Sequence, residues 1–217
     1  MNDQNPDEQQ ASGRILIDLF TSLDGVAQGP GGTDEDTSGG FRFSGWQAGY
    51  PSTGVGPEIE KGMRGLDALL LGRRTYDIFA SYWPHHTEGE SGDIGTLFNR
   101  VPKYVATRDA DLALGWEGST RVGGDLAAEV AAMRAAHREV HVIGSIDFVH
   151  TLLAEGLFDE VNLWVYPLLL GAGKKVFDDN ALPSVLHLLE PPFTDEAGVT
   201  LLRYGRTDRV PEVGTFE

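Results

Sequence analysis

The sequence predicts an α/β protein whose sheet is mostly parallel and ends in antiparallel strands. Apolar runs of strand length alternate with amphipathic segments of helix length from residue 14 to residue 156, which is typical of parallel βαβ units. From residue 159 onward, strand-like segments follow one another without a helix between them, and consecutive strands favour antiparallel pairing. The 217 residues are enough for one domain with a sizeable core.

Glycine and proline mark the elements of the first half of the chain. The strand 14–20 leads into Asp24-Gly25, a pair of residues typical of turns. A helix over 57–65 begins at Pro57 and has Gly65 near its end, which fits the preferences of helix termini. The predicted elements that follow are the strand 67–71, the helices 75–82 and 94–100, and the strand 103–108.

In the second half of the chain, helices and strands alternate up to residue 156, and the elements predicted after that point are all strands. Asp125 has the position of an N-cap for a helix over 125–137, because the apolar residues of that segment share one face. A strand over 140–143 leads to a helix over 147–155, which Gly156 closes. Three further strands are predicted at 161–166, 185–189 and 199–204.

Charge and composition narrow the classes of function. The formal net charge is −16 at pH 7, which argues against nucleic acid or an anionic membrane as a partner, since both need a positive surface. No apolar run reaches the roughly 18 residues of a membrane span. Because the chain has no cysteine, disulfides and thiolate chemistry are excluded, and we expect a cytoplasmic protein.

Both ends of the chain are predicted to lie outside the domain. Residues 1–12 are polar and acidic, which is typical of a disordered leader and does not fit a signal peptide. Residues 206–217 are expected to form a polar C-terminal tail. A single domain over residues 13–205 is predicted between them.

The most informative motif is the strand-to-helix turn Gly72-Arg73-Arg74-Thr75. A buried strand ends there and an amphipathic helix follows, so two cations and a hydroxyl stand at a helix N-terminus. Unpaired backbone N–H groups and the helix dipole attract anions to such a position. The motif therefore indicates a phosphate site, and the alternative is a surface turn whose arginines are only hydrated.

Two other strand ends carry related groups. Thr107-Arg108 ends one strand, and Gly144-Ser145 joins another strand to a helix. Ligands of open α/β sheets bind beyond the carboxyl ends of the strands, where helix N-termini converge. Glycine lets the backbone approach a diphosphate, and arginines hold a ribose 2′-phosphate, so the three ends together predict NADPH rather than NADH. The glycine motifs of Rossmann and P-loop proteins are absent from the sequence.

With these motifs in this order, the chain resembles the dihydrofolate reductase-like superfamily. It is most similar to the branch that contains the C-terminal reductase domain of the bifunctional riboflavin-biosynthesis deaminase–reductase. The resemblance rests on the segments 21–25, 67–76, 142–145, 152–160 and 167–174, which together cover about residues 14–204. It implies a three-layer fold with a mostly parallel twisted sheet, antiparallel C-terminal strands and helices on both faces.

The resemblance also implies an activity. We expect an NADPH-dependent reductase that transfers a hydride to a small heterocyclic or ribosylamino-pyrimidine-type substrate, as in the reduction of 5-amino-6-(5-phosphoribosylamino)uracil. We also expect a homodimer, with the alternating strand 161–166 as support for it. The cofactor-binding residues implied by the matched motifs are Val26, Ala27, Gly72, Arg73, Arg74, Thr75, Thr107, Arg108, Gly144, Ser145 and Ile146.

Three side chains outside that set have two interpretations each. Asp24 is the candidate catalytic residue, because reduction of a C=N or C=O group needs a proton beside the hydride; the alternative is a turn aspartate that bonds its own loop. Trp46, in the glycine-rich loop 28–57, is the candidate substrate contact, or it packs that loop against the domain. His141 is interpreted as a packing or surface residue.

Other functions of the same fold stay open at this stage. No metal site is expected, because the histidines and carboxylates lack the spacing of a ligand set. A non-catalytic nucleotide-binding module that has lost turnover is one alternative to the enzyme. A dimeric scaffold with a degenerate pocket is another.

Overall fold

The computed structural model describes residues 12–50, 54–89 and 92–215, and its strands form one mixed sheet. The nine strands in these ranges are β1 (Arg14–Ser22), β2 (Ala68–Gly72), β3 (Lys103–Ala106), β4 (Ser119–Val122), β5 (Glu139–Val142), β6 (Glu160–Tyr166), β7 (Leu186–Leu188), β8 (Phe193–Thr194) and β9 (Thr200–Arg206). The α-helices in the same ranges are α1 (Val55–Gly62), α2 (Arg73–Tyr82), α3 (Gly92–Arg100), α4 (Leu126–Ala136) and α5 (Ile146–Glu155).

The sheet is parallel over most of its width. The strands follow one another in the order β4-β3-β2-β5-β1-β6-β9-β7. All pairings from β4 to β6 are parallel, whereas β9 pairs antiparallel with β6 and also with β7 and β8. This topology confirms the predicted α/β class with antiparallel C-terminal strands.

Helices cover both faces of the sheet, so the fold has three layers. On one face, Val130 of α4 and Val149 of α5 are buried in an apolar core with alternate residues of β1 and β5. On the other face, Tyr76 of α2 and Phe98 of α3 pack on β2 and β3. Val55 of α1 packs on β6 and β9 on that second face. The helices of the described residues are too short or too polar to cross a membrane.

Several helix and strand ends differ from the predicted ones. Helix α2 begins at Arg73, two residues before the predicted start at 75, so both arginines lie inside its first turn. Helix α1 covers Val55–Gly62 rather than 57–65. Strand β4 was not predicted, because its residues Ser-Thr-Arg are polar and partly exposed at the edge of the sheet and carry no apolar signal.

The predicted dimer strand is inside the sheet. Strand β6 is paired with β1 on one side and with β9 on the other, so it has no free edge that a second subunit could extend. The expected leader 1–12 lies outside the described residues except for Ser12. Strand β9 includes Arg206, and residues 207–215 form no helix or strand.

Candidate functional site

Two of the three predicted strand ends touch each other. The backbone N–H of Gly72 donates to the carbonyl of Gly144 over 2.9 Å. A Cβ at position 72 would lie 2.7 Å from the nitrogen of Ser145, and a Cβ at Gly144, whose φ is +131°, would lie 2.7 Å from Oγ1 of Thr75. Because side chains at either position would clash, glycine allows the first turns of α2 and α5 to meet here.

Both helices begin without a side-chain cap. Gly72 and Ser145 are the N-cap residues of α2 and α5, their backbones are extended, and neither makes a capping bond through a side chain. The first N–H groups of the two helices can therefore donate hydrogen bonds to an anion. Ile146 is 8% exposed and packs into the apolar core, so its backbone rather than its side chain faces the site.

The third predicted strand end lies beside the first turn of α2. Thr107 follows β3, and its hydroxyl accepts a bond of 3.1 Å from the N–H of Asp109 in the same turn. Asp109 lies 4.0 Å from a guanidinium nitrogen of Arg73. Arg108 makes no ion pair within the part of the chain that the structure describes. The structure thus brings all three ends to one edge of the sheet.

The turn after β1 is fixed against a later segment of the chain. Val26 is fully buried and forms an isolated antiparallel bridge with Lys175. The N–H of Ala27 donates to the carbonyl of Lys174 over 2.9 Å. These contacts place the backbone of residues 25–28 next to residues 173–176, close to the N-terminus of α5 because Lys174 also bonds Asp147 in its first turn.

Asp24 is saturated with hydrogen bonds. Its carboxylate accepts from the hydroxyl of Ser22 at 2.6 Å and from the N–H groups of Leu170 at 3.1 Å and Gly171 at 2.7 Å. The bond from Ser22 and the two backbone donors lower the pKa of Asp24 to about 2, so the group is ionised at neutral pH. The geometry therefore supports an orienting role, and it ties the loop 168–171 to the end of β1.

Trp46 holds the long glycine-rich loop against the sheet. Its indole N–H donates to the carbonyl of Gln28 over 2.9 Å, and its ring meets Tyr166 of β6 edge-on with centroids 5.2 Å apart. The buried amide of Gln28 in turn donates to the carbonyls of Asp36 and Ser38. These contacts agree with the packing interpretation of Trp46, and its contact with a substrate stays a prediction.

The cations at this edge are paired with acidic side chains. Arg73 bonds Asp77 one turn later in α2, with 2.7 Å between nitrogen and oxygen. Arg74 bonds the carboxylate of Asp36, which comes from the long loop. The expected phosphate clamp is therefore balanced by carboxylates, a feature that the sequence pattern did not reveal.

An open cleft lies beside these ion pairs. Its volume is about 640 Å³, which is in the usual range of small-molecule sites. Its lining residues come from two loops, and they are Gln28, Ser38, Gly39, Gly40, Phe41, Arg42, Phe43, Ala172, Gly173 and Lys174. Within the described residues, no three metal-ligating side chains are grouped so that they could hold an ion.

A second, much smaller pocket lies between α1 and the sheet. Its volume is about 30 Å³, which is room for about one water molecule. Asp18 of β1, Asn162 of β6 and Ile143 are among its lining residues, with Glu58 of α1 and Arg203 of β9 across from them. Ile143 directly precedes Gly144, so this pocket adjoins the edge of the sheet where Gly72 contacts Gly144 and Ser145, which we call the glycine edge.

A buried polar cluster forms the base of this pocket. Nδ1 of His141 lies 2.7 Å from one oxygen of Asp18, and the amide of Asn162 donates to the other oxygen over 2.9 Å. His141 is fully buried. Burial alone would lower its pKa, but the carboxylates of Asp18 and Glu139 outweigh burial and raise it to about 9. This pKa favours the protonated form of His141 at neutral pH. The burial of His141 agrees with the packing interpretation, which did not include its pairing with two carboxylates.

The cluster continues to the protein surface. Nε2 of His141 lies 3.7 Å from the carboxylate of Glu139, and Arg14, half-exposed, pairs with both Glu139 and Glu160. The nearby imidazole of His141 and the charge of Arg14 lower the pKa of Glu139 to about 2. One signal was available in the sequence, since polar residues interrupt three otherwise apolar strands at Asp18, His141 and Asn162.

The three layers, the antiparallel C-terminal strands and the glycine edge define a dihydrofolate reductase-like α/β protein. The family described as the RibD C-terminal domain matches residues 14–192. The chain belongs to this family.

Known proteins with a similar sequence or structure agree with this class. The chain is 24% identical over 168 residues to the uncharacterised protein YyaP of Bacillus subtilis strain 168, which covers 76% of this chain and 81% of YyaP. The crystal structure of a Shewanella sp. PV-4 protein described as a riboflavin biosynthesis protein is similar to this one, with a TM-score of 0.67 and 22% sequence identity. The similarity covers 89% of this chain and 99% of the Shewanella chain. Enterococcus faecalis dihydrofolate reductase in complex with NADP(H) has a TM-score of 0.56 and 13% sequence identity. That similarity covers 91% of this chain and 98% of the reductase.

Proposed function

We propose that the protein is an NADPH-dependent oxidoreductase that reduces a small heterocyclic substrate, of the ribosylamino-pyrimidine type that riboflavin biosynthesis handles. The observation that carries this proposal is the meeting of two uncapped helix N-termini across Gly72 and Gly144, beside Arg73 and Arg74. Membership of the RibD C-terminal domain family supports it. The complex of the Enterococcus reductase with NADP(H) supports a nicotinamide cofactor for this fold.

The residues of the glycine edge are proposed to hold the cofactor. The free N–H groups at the starts of α2 and α5, with the hydroxyl of Thr75, would bind the diphosphate. Arg73 and Arg74 would bind the phosphates as cations, and Thr107 with Arg108 would lie beside the adenosine. Val26 and Ala27 would border the nicotinamide through the backbone of their turn. When bound, the cofactor supplies a hydride.

The proton that the reduction consumes is proposed to come from the buried cluster. The low pKa of Asp24, about 2, favours its ionised form at neutral pH, which supports an orienting role for this candidate catalytic residue. Asp18 faces the small pocket next to the glycine edge, and its partner His141 carries an exchangeable proton and reaches toward the surface through Glu139. This pair is therefore positioned to supply a proton to a substrate that lies beside that pocket.

Titration with NADPH and NADH tests the cofactor assignment. Binding is followed by quenching of tryptophan fluorescence and by the rise in melting temperature, since a ligand that binds only the folded state stabilises it. We expect NADPH to bind tightly and NADH much more weakly. The absence of binding of both dinucleotides would overturn the proposal.

A non-catalytic nucleotide-binding module is the second candidate. The observation in its favour is the small pocket of about 30 Å³, which has no room for a heterocycle in this conformation. Steady-state oxidation of NADPH with a panel of pyrimidine, pterin and carbonyl compounds separates the two functions. Turnover of one substrate class establishes the enzyme, and tight NADPH binding without any turnover favours the module.

A cytoplasmic homodimer is part of the proposal. Because β6 is paired on both sides, the partner would have to pack elsewhere than along that strand. Light scattering after size-exclusion chromatography tests this assembly. A mass of about twice the 23.5 kDa of the chain is expected, and a monomeric mass at micromolar concentration would contradict it.

A further inference from the structure

The carboxylate of Asp36 is surrounded by groups that bind anions. One oxygen accepts from Arg74, from the backbone N–H of Ser38 at 3.0 Å and from the hydroxyl of Ser38 at 2.6 Å. The other oxygen lies 3.3 Å from the ammonium nitrogen of Lys174. The side chain of Asp36 is 11% exposed. Two cations, a hydroxyl and a backbone donor thus form a nearly enclosed cradle around the carboxylate of Asp36.

This carboxylate is a permanent anion. Burial alone would raise the pKa of Asp36, but the bonds from Ser38 and the charges of Arg74 and Lys174 hold it well below its usual range. Protonation therefore does not empty the cradle near neutral pH. Only another anion, with at least comparable charge and hydrogen-bonding capacity, could replace the carboxylate there.

The cradle lies between the two helix N-termini of the glycine edge. Arg74 belongs to the first turn of α2, and Lys174 bonds Asp147 in the first turn of α5 over 2.9 Å. Ser38 and Lys174 also line the cleft of about 640 Å³. A ligand in that cleft would reach the cradle directly.

The segment that carries Asp36 is held mainly by polar contacts. The amide of Gln28 bonds the carbonyls of Asp36 and Ser38, and the N–H of Asp36 bonds the hydroxyl of Ser44 over 3.3 Å. Asp36 and Ser38 are only partly buried, and Thr37 is exposed. Moving the carboxylate out of the cradle would therefore not disrupt an apolar core.

We propose that Arg74, Lys174 and Ser38 form an anion site that Asp36 fills in the free protein and that a phosphate group of the dinucleotide takes over on binding. This inference rests on the proposed function for the identity of the ligand. It assigns Lys174 and Ser38 to the cofactor site and makes Asp36 an internal competitor that sets cofactor affinity. The shared chemistry is a phosphate oxyanion, which either the diphosphate or the 2′-phosphate can provide.

The variant Asp36→Asn tests the inference, because it removes the charge and keeps the shape. Titration calorimetry measures its affinity for three probes: NADPH, NADH and inorganic pyrophosphate. Asp34→Asn is the matched control, since Asp34 is an exposed carboxylate of the same loop and makes no ion pair within the described residues. We expect pyrophosphate and NADPH to bind about tenfold more tightly to Asp36→Asn than to the wild type. The control is expected to stay within about twofold of the wild type.

The three probes identify the phosphate group. If Asp36→Asn binds both NADPH and NADH more tightly than the wild type does, the cradle holds the diphosphate. If only the affinity for NADPH increases, the cradle holds the 2′-phosphate. Unchanged affinity for all three probes overturns the inference and leaves the proposed function intact. A gain for pyrophosphate with no binding of either dinucleotide to any variant keeps the anion site and overturns the cofactor assignment.

Hydrogen exchange on the wild-type protein provides a second measurement that does not depend on the variant. The N–H of Ser38 is bonded to the carboxylate of Asp36, so replacement of that carboxylate changes the protection of peptides that contain residues 36–38. Saturating pyrophosphate is expected to alter exchange in these peptides. Unaltered exchange there, with pyrophosphate bound, would contradict displacement.

Discussion

Asp18 and His141 form a buried ion pair, with 2.7 Å between the carboxylate oxygen and Nδ1, on the face of the sheet opposite the main apolar core. They lie on adjacent parallel strands, β1 and β5, where Leu16 is the register partner of His141. A charged pair in the middle of a sheet costs desolvation energy, and removing one partner leaves the other uncompensated. The pair therefore makes stability depend on pH in a defined direction.

Asp18→Asn is expected to destabilise the protein most at mildly acidic and neutral pH. The folded pKa of His141, about 9, lies above its unfolded value of 6.5. The stabilisation is therefore fully present below pH 6.5 and is lost as the pH rises through 9. The whole shift corresponds to a contribution to the free energy of unfolding on the order of 3 kcal/mol, and the loss in Asp18→Asn is smaller because Glu139 also raises the pKa of His141. Urea denaturation from pH 6 to 9.5 measures it, and a difference between variant and wild type that does not shrink with rising pH would contradict it.

Gly72→Ala is expected to lower the free energy of unfolding by about 1–3 kcal/mol, because the new Cβ would overlap the backbone of Ser145 and push α2 away from α5. Gly56→Ala is the matched control. No atom of the described residues lies within 4 Å of a Cβ at that position in α1, so the change should be neutral or stabilising by up to about 1 kcal/mol. Equal stability of the two variants would show that the helix N-termini are not in contact.

Asp24→Asn is expected to loosen the loop 168–171 and to lower the free energy of unfolding by about 1 kcal/mol at neutral pH, because an amide NH₂ then faces backbone donors. The pKa of Asp24 is lowered from 3.8 to about 2, so its contribution is present above pH 3.8 and is lost as the pH falls through 2. Thermal melts at pH 7 and pH 2 measure this. Asp111→Asn, a change at an exposed carboxylate, controls for net charge.

Arg73→Ala is expected to weaken NADPH binding about tenfold and to change NADH binding by less than about twofold. The ion pair of Arg73 with Asp77 is exposed on the helix surface. Such pairs contribute only about 0.3–0.5 kcal/mol to stability, so a phosphate can displace Asp77 from the guanidinium. Fluorescence titration measures both constants. Arg100→Ala, at an exposed cation of α3, is the control, and equal losses for the two dinucleotides would mean that Arg73 does not bind the 2′-phosphate.

The glycine edge could be predicted from the sequence because the residues that form each strand-to-helix turn are neighbours along the chain. A buried strand followed by Gly72-Arg73-Arg74-Thr75 contains the strand, the cap and the charges within a few residues, and the same holds for Gly144-Ser145. The structure confirms that these ends share one edge. It moves the start of α2 to Arg73, because the extended backbone of Gly72 acts as the cap.

The ion pairs and hydrogen bonds that neutralise the charges of the site join residues far apart in the sequence. The pattern of apolar residues does not predict them. Asp36 is 38 positions from Arg74, and Asp18 is 123 positions from His141 and 144 from Asn162. Pairing of this kind depends on the path of the long loop and on strand register. A polar residue inside an apolar strand can be read from the sequence, but its partner appears only once the order of the strands is known.

The position of β1 in the sheet has a consequence for how the chain is made. Its hydrogen-bonding neighbours, β5 and β6, begin at Glu139 and Glu160, so one edge of the first strand stays unpaired until residue 139 has been synthesised and the other until residue 160. Non-local pairing of this kind slows folding and exposes strand edges to aggregation. A ribosome-bound chain that stops before residue 139 would hold β1 with neither partner, and the domain closes only when its last third has emerged.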